Sequence, residues 1–271
     1  MRQAARAALV SAAATFLSGK ALDARPIGIP GWVRSNYRDC PVALSGGAAV
    51  VIGSLSAALV GPAELRRHSV TLIAAAAMAG GYDDLLAPRH EQVGDKGWRG
   101  HLAAARSGRL SGGVVKVALI GGAALCTARS ESGGWRRAVP RAALIAGTAN
   151  LLNLFDLRPG RAGKVALAVG ATGLSGPTGA IAASVVGSAA AVLPEDLAER
   201  RMLGDLGANT LGVLLGQRLA HGGPALRWGA LVTVGGLTMA SERVSFSQVI
   251  ARTPWLRTMD EWGRSVPTDR D

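Results

Sequence analysis

Six Asp and Asn residues stand where long apolar runs of this chain begin or end. They are Asp83 and Asp84, then Asn150, Asn153 and Asp156, and finally Asp205. A single acid at the end of an apolar helix implies no function, because the insertion cost of roughly 2.5 to 3.5 kcal/mol applies to a charge at the bilayer centre. Repetition of the arrangement at three places favours one shared site.

Oxygen ligands are the common property of these residues. Asn150, Asn153 and Asp156 are spaced three and three, which in a helix turns two carboxamides and one carboxylate to the same side. Hard oxygen ligands in a partly solvated site suit Mg²⁺, with Mn²⁺ as the alternative, and Mg²⁺ often bridges to substrate phosphates. Gly204 and Gly207 flank Asp205 closely enough to let backbone approach a phosphate. The pattern therefore predicts a site for a metal and a phosphate.

A basic stretch follows the aspartate pair. It contains Lys96, Arg99, His101, Arg106 and Arg109, and Lys116 lies at the start of the next apolar run. Such a loop beside a metal site suits a diphosphate, and the alternative is contact with anionic lipid head groups. His101 is expected to contact phosphate rather than metal, because no second ligand residue lies at ligand spacing from it.

Nine apolar runs must position these residues. They cover 4–22, 43–61, 68–82, 111–128, 138–153, 164–175, 178–193, 206–220 and 225–241. We expect an all-α integral membrane protein with about nine short transmembrane helices. Several runs are shorter than the ~20 residues of a simple span, so their helices should continue into the polar motifs. A soluble Ala-rich helical protein is the alternative, but Arg residues fall in blocks between charge-free runs rather than along one helix face.

Charge predicts the orientation of these helices. Alternating spans place 23–42, 83–110, 154–163, 194–205 and the tail from 242 on one side, which carries the larger share of Arg. That bias makes the motif-bearing side cytoplasmic and the chain a multi-pass protein of the cell membrane. The net charge of +12 does not indicate nucleic acid, because the basic residues cap apolar segments instead of mixing with aromatics on one surface.

The chain divides into a polytopic region, 1–241, and a polar tail, 242–271. The sequence of the tail predicts either an interfacial amphipathic helix that is broken near Pro254 or a partly ordered terminus. Residues 1–24 are also compatible with a signal peptide. Cys40 and Cys126 have neither metal-ligand spacing nor the context of a disulfide.

Four motifs resemble the polyprenyl-phosphate N-acetylhexosamine-1-phosphate transferase family, which includes the phospho-N-acetylmuramoyl-pentapeptide transferase of peptidoglycan synthesis. They are Pro-x-x-x-x-Gly-Gly at 41–47, Gly-Tyr-Asp-Asp at 81–84, Asn-x-x-Asn-x-x-Asp at 150–156 and Gly-Asp-x-Gly at 204–207. The resemblance spans most of the chain. It implies transfer of a phospho-N-acetylhexosamine from a UDP-sugar to polyprenyl phosphate with release of UMP, and some relatives imply a homodimer.

The resemblance also implies residue roles. Asp205 would be the principal Mg²⁺ ligand, Asp83 would act on or orient the polyprenyl phosphate, and Asp84 would support that pair. Lys116 looks like the family lysine that contacts phosphate. The remaining predicted residues would bind the UDP-sugar, with Asn153 and Asp156 also organising the metal site. They are Asn150, Asn153, Asp156, Arg158, Lys96 and His101.

Three departures from the family pattern leave other functions open. Pro159 stands where the family has a second acid, no His follows His221 where a His-rich motif is expected, and the chain is shorter by a span or two. One alternative is a catalytically inactive member that binds a lipid-linked precursor or an envelope enzyme. Another is an ion-coupled transporter, which would place its acids near mid-span rather than at helix ends.

Overall fold

The computed structural model describes residues 1–24, 32–86 and 112–264. Eleven helices and one short hairpin make up this part of the chain. The helices are α1 (Arg2–Ala24), α2 (Ser45–Val60), α3 (Ala63–Gly81), α4 (Gly112–Ser132), α5 (Trp135–Phe155), α6 (Arg161–Ala171), α7 (Gly179–Leu197), α8 (Gly204–Ala220), α9 (Pro224–Ser241), α10 (Phe246–Arg252) and α11 (Pro254–Glu261). The hairpin pairs β1 (Val33–Ser35) with β2 (Pro41–Ala43) in antiparallel register.

A helix lies at each of the nine predicted apolar runs, so the expectation of an all-helical fold is confirmed for the described residues. Two helical segments depart from α geometry. The turn Tyr82–Leu86 that follows α3 is π-helical, and so is Val117–Gly121 within α4. Among the described residues, α4 and α7 are the two helices long and apolar enough to cross a membrane. A count of nine spans stays a prediction.

Helix α8 forms the centre of the bundle and packs against α2, α3, α5 and α7. Its contact with α5 is close because α8 places glycine there. A Cβ on Gly212 would lie 2.5 Å from the Cα of Ala149, and one on Gly216 would lie 2.6 Å from the Cα of Ile145. Small residues let helix backbones approach each other in this way. The abundant Ala and Gly residues of this chain therefore allow its helices to pack closely.

Helix α1 joins the bundle through polar contacts with α7. The Ser11 hydroxyl donates to the Ser184 carbonyl over 2.8 Å, and its oxygen lies 2.5 Å from that of Ser188. Thr15 also donates to Ser188, over 3.1 Å. Because these side chains are buried, the contacts satisfy polar groups inside the helix interface and fix the position of α1.

At the bundle end away from the acidic residues, Glu131 joins three helices. One carboxylate oxygen lies 2.6 Å from His68 Nδ1 of α3, and the other lies 3.2 Å from Nε2 of His221 after α8. The hydrogen bond from His221 to this carboxylate raises the pKa of His221. Glu131 therefore holds the ends of α3, α4 and α8 together.

The tail forms two helices that meet at Thr253, and Pro254 opens the second one. Phe246 of α10 stacks on Phe155 at the end of α5, with ring centroids 5.2 Å apart. Asp260 of α11 accepts both hydrogen bonds of the Arg161 guanidinium fork, over 2.7 and 3.0 Å. The break near Pro254 agrees with the sequence, and the described part of the tail is docked on the bundle.

Candidate functional site

Three charged side chains from separate helices meet at one end of the bundle. Asp83 lies in the π-turn after α3, Lys116 in the first turns of α4 and Asp205 in the first turn of α8. Lys116 Nζ lies 3.3 Å from Asp83 Oδ2 and also forms an ion pair with Asp205 Oδ2. Each of the three side chains is about one-fifth exposed, so solvent reaches the cluster. The lysine therefore bridges two carboxylates that are far apart in sequence.

Asp84 points the other way and holds the N-terminus of α8. Its carboxylate accepts the backbone N–H of Leu206 over 2.9 Å and that of Asp205 over 3.3 Å. These N–H groups have no partner inside the helix, and the positive end of the helix dipole favours the carboxylate there. Asp84 thus fixes where α8 presents Asp205.

Arg34 of β1 binds the π-turn that contains Asp83 and Asp84. Its Nη2 donates to the carbonyl oxygens of Asp83 and Asp84, over 3.1 and 2.7 Å, and its Nη1 lies 3.6 Å from the Asp84 carboxylate. Carbonyl groups at a helix end lack internal partners, so a guanidinium there satisfies them. Nothing in the sequence indicates this role, because Arg34 belongs to a hairpin remote from the motifs.

Two glycines make room for the aspartates. A Cβ at Gly112 would overlap the Asp83 carboxylate, and one at Gly204 would lie 2.8 Å from Asp84 Oδ2. Gly204 also has a φ of +58°, a conformation that side chains other than glycine rarely adopt. Gly207 instead packs against Gly47 of α2. The glycines around Asp205 thus serve close packing of protein groups on one another.

The two adjacent carboxyls of the π-turn have pKa values that are shifted in opposite directions. Burial raises the pKa of Asp84, although the N–H groups of Leu206 and Asp205 and the charge of Arg34 oppose the shift. Burial also acts on Asp83, but a hydrogen bond with Asp205 and the charge of Lys116 outweigh it, so the pKa of Asp83 is lowered. Asp83 therefore loses its proton more readily than Asp84 does.

The predicted motif at 150–156 approaches the cluster at its last residue. Helix α5 ends at Phe155, Asp156 caps it, Asn153 is partly buried and Asn150 is exposed. Burial and the neighbouring carboxylates of Asp196, Asp205 and Asp84 raise the pKa of Asp156 well above its usual value. The structure thus brings Asp156 near the cluster, whereas Asn150 lies on the outer face of α5.

Asp156 and Arg158 line a cavity of about 190 Å³ near the cluster. Asp196, at the end of α7, lines it too, and its Oδ2 accepts the Gly160 N–H over 2.9 Å. Asp196 is 3% exposed. The sequence does not indicate a site there, because Glu195-Asp196 is typical of the polar end of an apolar run. Lys96 and His101, the other predicted ligand-binding residues, lie outside the described residues.

The donor set suits a small divalent cation bound with help from other ligands. Within 1–24, 32–86 and 112–264, no group of three or more His, Cys, Asp or Glu side chains is arranged to hold a metal ion. Mg²⁺ needs fewer protein ligands, since it takes one or two carboxylates and completes its shell with waters and phosphates. The Lys116 ammonium stands between Asp83 and Asp205, where a cation is favoured. Asp83 and Asp205 therefore fit Mg²⁺, and Mn²⁺ accepts the same donors.

Comparison with known proteins adds no family to this geometry. No protein-family model matches the chain, and no curated protein matches it significantly. The functional argument therefore depends on the residues themselves.

Proposed function

We propose that this protein transfers a phospho-N-acetylhexosamine from a UDP-sugar to polyprenyl phosphate and releases UMP. The single observation that carries the proposal is the meeting of Asp83, Lys116 and Asp205 at one end of the bundle. Two carboxylates and a lysine from three helices form a small charged site that suits a metal-bound diphosphate. The motif resemblance supplies the identity of the reaction.

In the proposed reaction, an oxygen of the polyprenyl phosphate attacks the phosphorus next to the sugar. A new P–O bond forms, the bond from that phosphorus to the bridging oxygen breaks, and the bridging oxygen leaves with UMP. The lipid phosphate is already anionic near neutral pH, so charge neutralisation and positioning matter more than a strong base. Mg²⁺ bound at this site would neutralise charge on the diphosphate.

The residues of the chain have separate tasks in this proposal. Asp205 and Asp83 would hold the metal, and Asp83 would also orient the lipid phosphate. Lys116 would offset the charge of the phosphates, and Asp84 would keep Asp205 in place through the N-terminus of α8. Asp156 and Arg158, which line the adjacent cavity, would contact the UDP-sugar.

We also propose that the protein is a multi-pass membrane protein with this site on the cytoplasmic side. Large apolar side chains are exposed along the helices, and Val234 is the one buried residue of α9. An apolar face of this kind suits lipid contact. Cys40 provides a test of orientation: a membrane-impermeant maleimide should label it only after permeabilisation of intact cells. Arg136→Cys in a background lacking both native cysteines should be labelled without permeabilisation, and the reverse pattern would invert the topology.

The transfer reaction is tested with purified protein, Mg²⁺, polyprenyl phosphate and a panel of UDP-N-acetylhexosamines, with UMP as the readout. We expect UMP release from the wild type and a decrease of at least ~100-fold in Asp205→Asn. Asp39→Asn, which alters an exposed hairpin acid, is the matched control and should keep full activity. No UMP from any sugar, or equal UMP from Asp205→Asn, would reject the transferase and favour an inactive binding protein.

A further inference from the structure

A second cavity, of about 470 Å³, lies between the bundle and the docked tail. Arginine dominates its lining, which includes Arg38, Arg158, Arg161, Arg257 and Arg264. The acids of the lining are Asp260 and Glu261, which leaves a net formal charge of +3. Tyr37 and Arg158 also line the cavity that contains Asp156, so the two spaces are neighbours.

Part of this charge is used to build the cavity. Asp260 accepts the fork of Arg161 and lies 2.9 Å from Arg264 Nη2. Arg161 is 5% exposed, and its Nη1 also donates to the Ser247 hydroxyl over 3.0 Å. Arg264 Nε donates to the Pro159 carbonyl over 3.0 Å. These contacts attach α10 and α11 to the start of α6 and fix the shape of the cavity.

Two of the five guanidinium groups have no acidic partner. Within the described part of the chain, no carboxylate lies within ion-pair distance of Arg158 or Arg257, whereas Arg38 pairs with Glu199 at 3.1 Å. The Arg158 guanidinium lies 4.0 Å from the centroid of the Tyr37 ring. A guanidinium held over an aromatic ring keeps its N–H donors available at its edge. The cavity therefore holds uncompensated positive charge with a fixed orientation at Arg158.

We propose that this arginine-lined cavity is a binding site for a phosphate group, built by the tail together with the β1–β2 hairpin and the start of α6. Guanidinium groups form paired, charge-assisted hydrogen bonds with phosphate oxygens. The volume accommodates a molecule of nucleotide size, so the group belongs either to a soluble phosphate compound or to a lipid head group that enters from the membrane surface. The site shares Arg158 with the proposed UDP-sugar site, whereas Arg257 lines this cavity and not the other.

The test uses the purified full-length chain in detergent with EDTA, so that no divalent cation contributes. Calorimetric titration with inorganic pyrophosphate examines the soluble source, and titration with mixed micelles of the detergent and phosphatidylcholine, with and without phosphatidic acid, examines the lipid source. Arg257→Gln and Arg158→Gln should each weaken the binding that is observed by about tenfold or more. Arg252→Gln, an exposed arginine of α10 outside the cavity, is the matched control and should bind like the wild type.

Each outcome decides the proposal. Binding of pyrophosphate that is weakened only by the cavity variants supports a soluble ligand, and the same pattern with phosphatidic acid micelles alone supports a lipid head group. Absence of binding to both probes, or equal weakening by Arg252→Gln, would overturn the phosphate site. Asp205→Asn separates this proposal from the transferase, since that variant should lose UMP release and retain binding of pyrophosphate or of phosphatidic acid micelles.

Discussion

At the scale of single residues, Lys116 is the counter-ion of two acids. Its ammonium contacts both Asp83 and Asp205, whose side chains are about four-fifths buried. Without that ammonium, the two carboxylates would repel each other in a partly desolvated place. A divalent cation would remove the same repulsion. Lysine and metal are therefore expected to substitute for each other in stabilising this end of the bundle.

Lys116→Met should lower stability by on the order of 1 to 3 kcal/mol, because it leaves two partly buried carboxylates without their partner. Added Mg²⁺ should restore much of that loss and raise the Tm of the variant more than that of the wild type. Thermal unfolding with and without Mg²⁺ measures both effects. Lys20→Met, which alters a lysine that is 55% exposed, is the control and should show no added response. An identical Mg²⁺ response in Lys116→Met and wild type would argue against the metal position.

At this scale, the sequence indicates the clustered charged residues better than it indicates the residues that position them. Asp83, Lys116 and Asp205 were predicted to act together, and the structure brings them into contact. Asp84 was predicted to support this pair, and its carboxylate accepts backbone N–H groups at the N-terminus of α8. Asp83 and Asp84 are adjacent residues of the same type, so residue type does not distinguish them. Their contacts differ because their side chains point in different directions. Arg34 and Asp196 were not predicted because each contacts backbone groups. Nearly every residue has the same backbone groups, so such a contact leaves no pattern of residue types in the sequence.

At the scale of elements, the position of Asp83 depends on how closely α4 passes the π-turn after α3. Gly112 stands where α4 meets the Asp83 carboxylate, and any side chain there would overlap it. A π-helical turn adds a residue to one turn and changes which residues face the neighbouring helix. Apolar periodicity predicts a helix but not a π-helical turn. The nine apolar runs therefore predicted α3 and α4, but not how the two helices contact each other.

Gly112→Ala should move Asp83 away from Lys116 and reduce UMP release at least about tenfold, because the new methyl group overlaps the carboxylate. The loss of stability should be roughly 1 to 3 kcal/mol from overpacking. Gly122→Ala in the same helix is the matched control, since nothing lies within 4 Å of its Cβ position. It should leave activity unchanged. Equal activity of Gly112→Ala and Gly122→Ala would show that the Asp83 position does not limit the reaction.

At the scale of the whole molecule, the tail is held to the bundle mainly by polar contacts. Asp260 pairs with Arg161 and Arg264, while Lys164 Nζ donates to the Asp260 carbonyl over 2.8 Å. The opposite face of α11 exposes Trp255, which is 64% exposed. The sequence predicted the amphipathic character of the tail and the break near Pro254. It did not predict the partner of Asp260, because Arg161 lies 99 positions earlier. A pairing at such separation requires the fold of the bundle.

Asp260→Asn should release α10 and α11 from the bundle, because it removes the charge that pairs with two guanidinium groups. We expect amide hydrogen exchange of residues 246–261 to rise at least tenfold while exchange in α8 stays unchanged. Glu261→Gln, which alters an exposed neighbouring acid with no ion pair among the described residues, is the control and should exchange like the wild type. Unchanged exchange in Asp260→Asn would mean that Phe246 and its apolar contacts hold the tail.

The pH dependence of docking has a definite sign. Burial alone would raise the pKa of Asp260, but the hydrogen bond and charge of Arg161 and the charge of Arg264 outweigh it and lower the pKa below the usual 3.8. A carboxyl with a lowered pKa contributes its stability above the unfolded value and loses it as pH falls through the folded value. Docking of the wild-type tail should therefore be constant at neutral pH and weaken only below about pH 4, whereas Asp260→Asn should show the undocked exchange rate throughout. Weakening that begins near pH 6 would assign the control of docking to a different group.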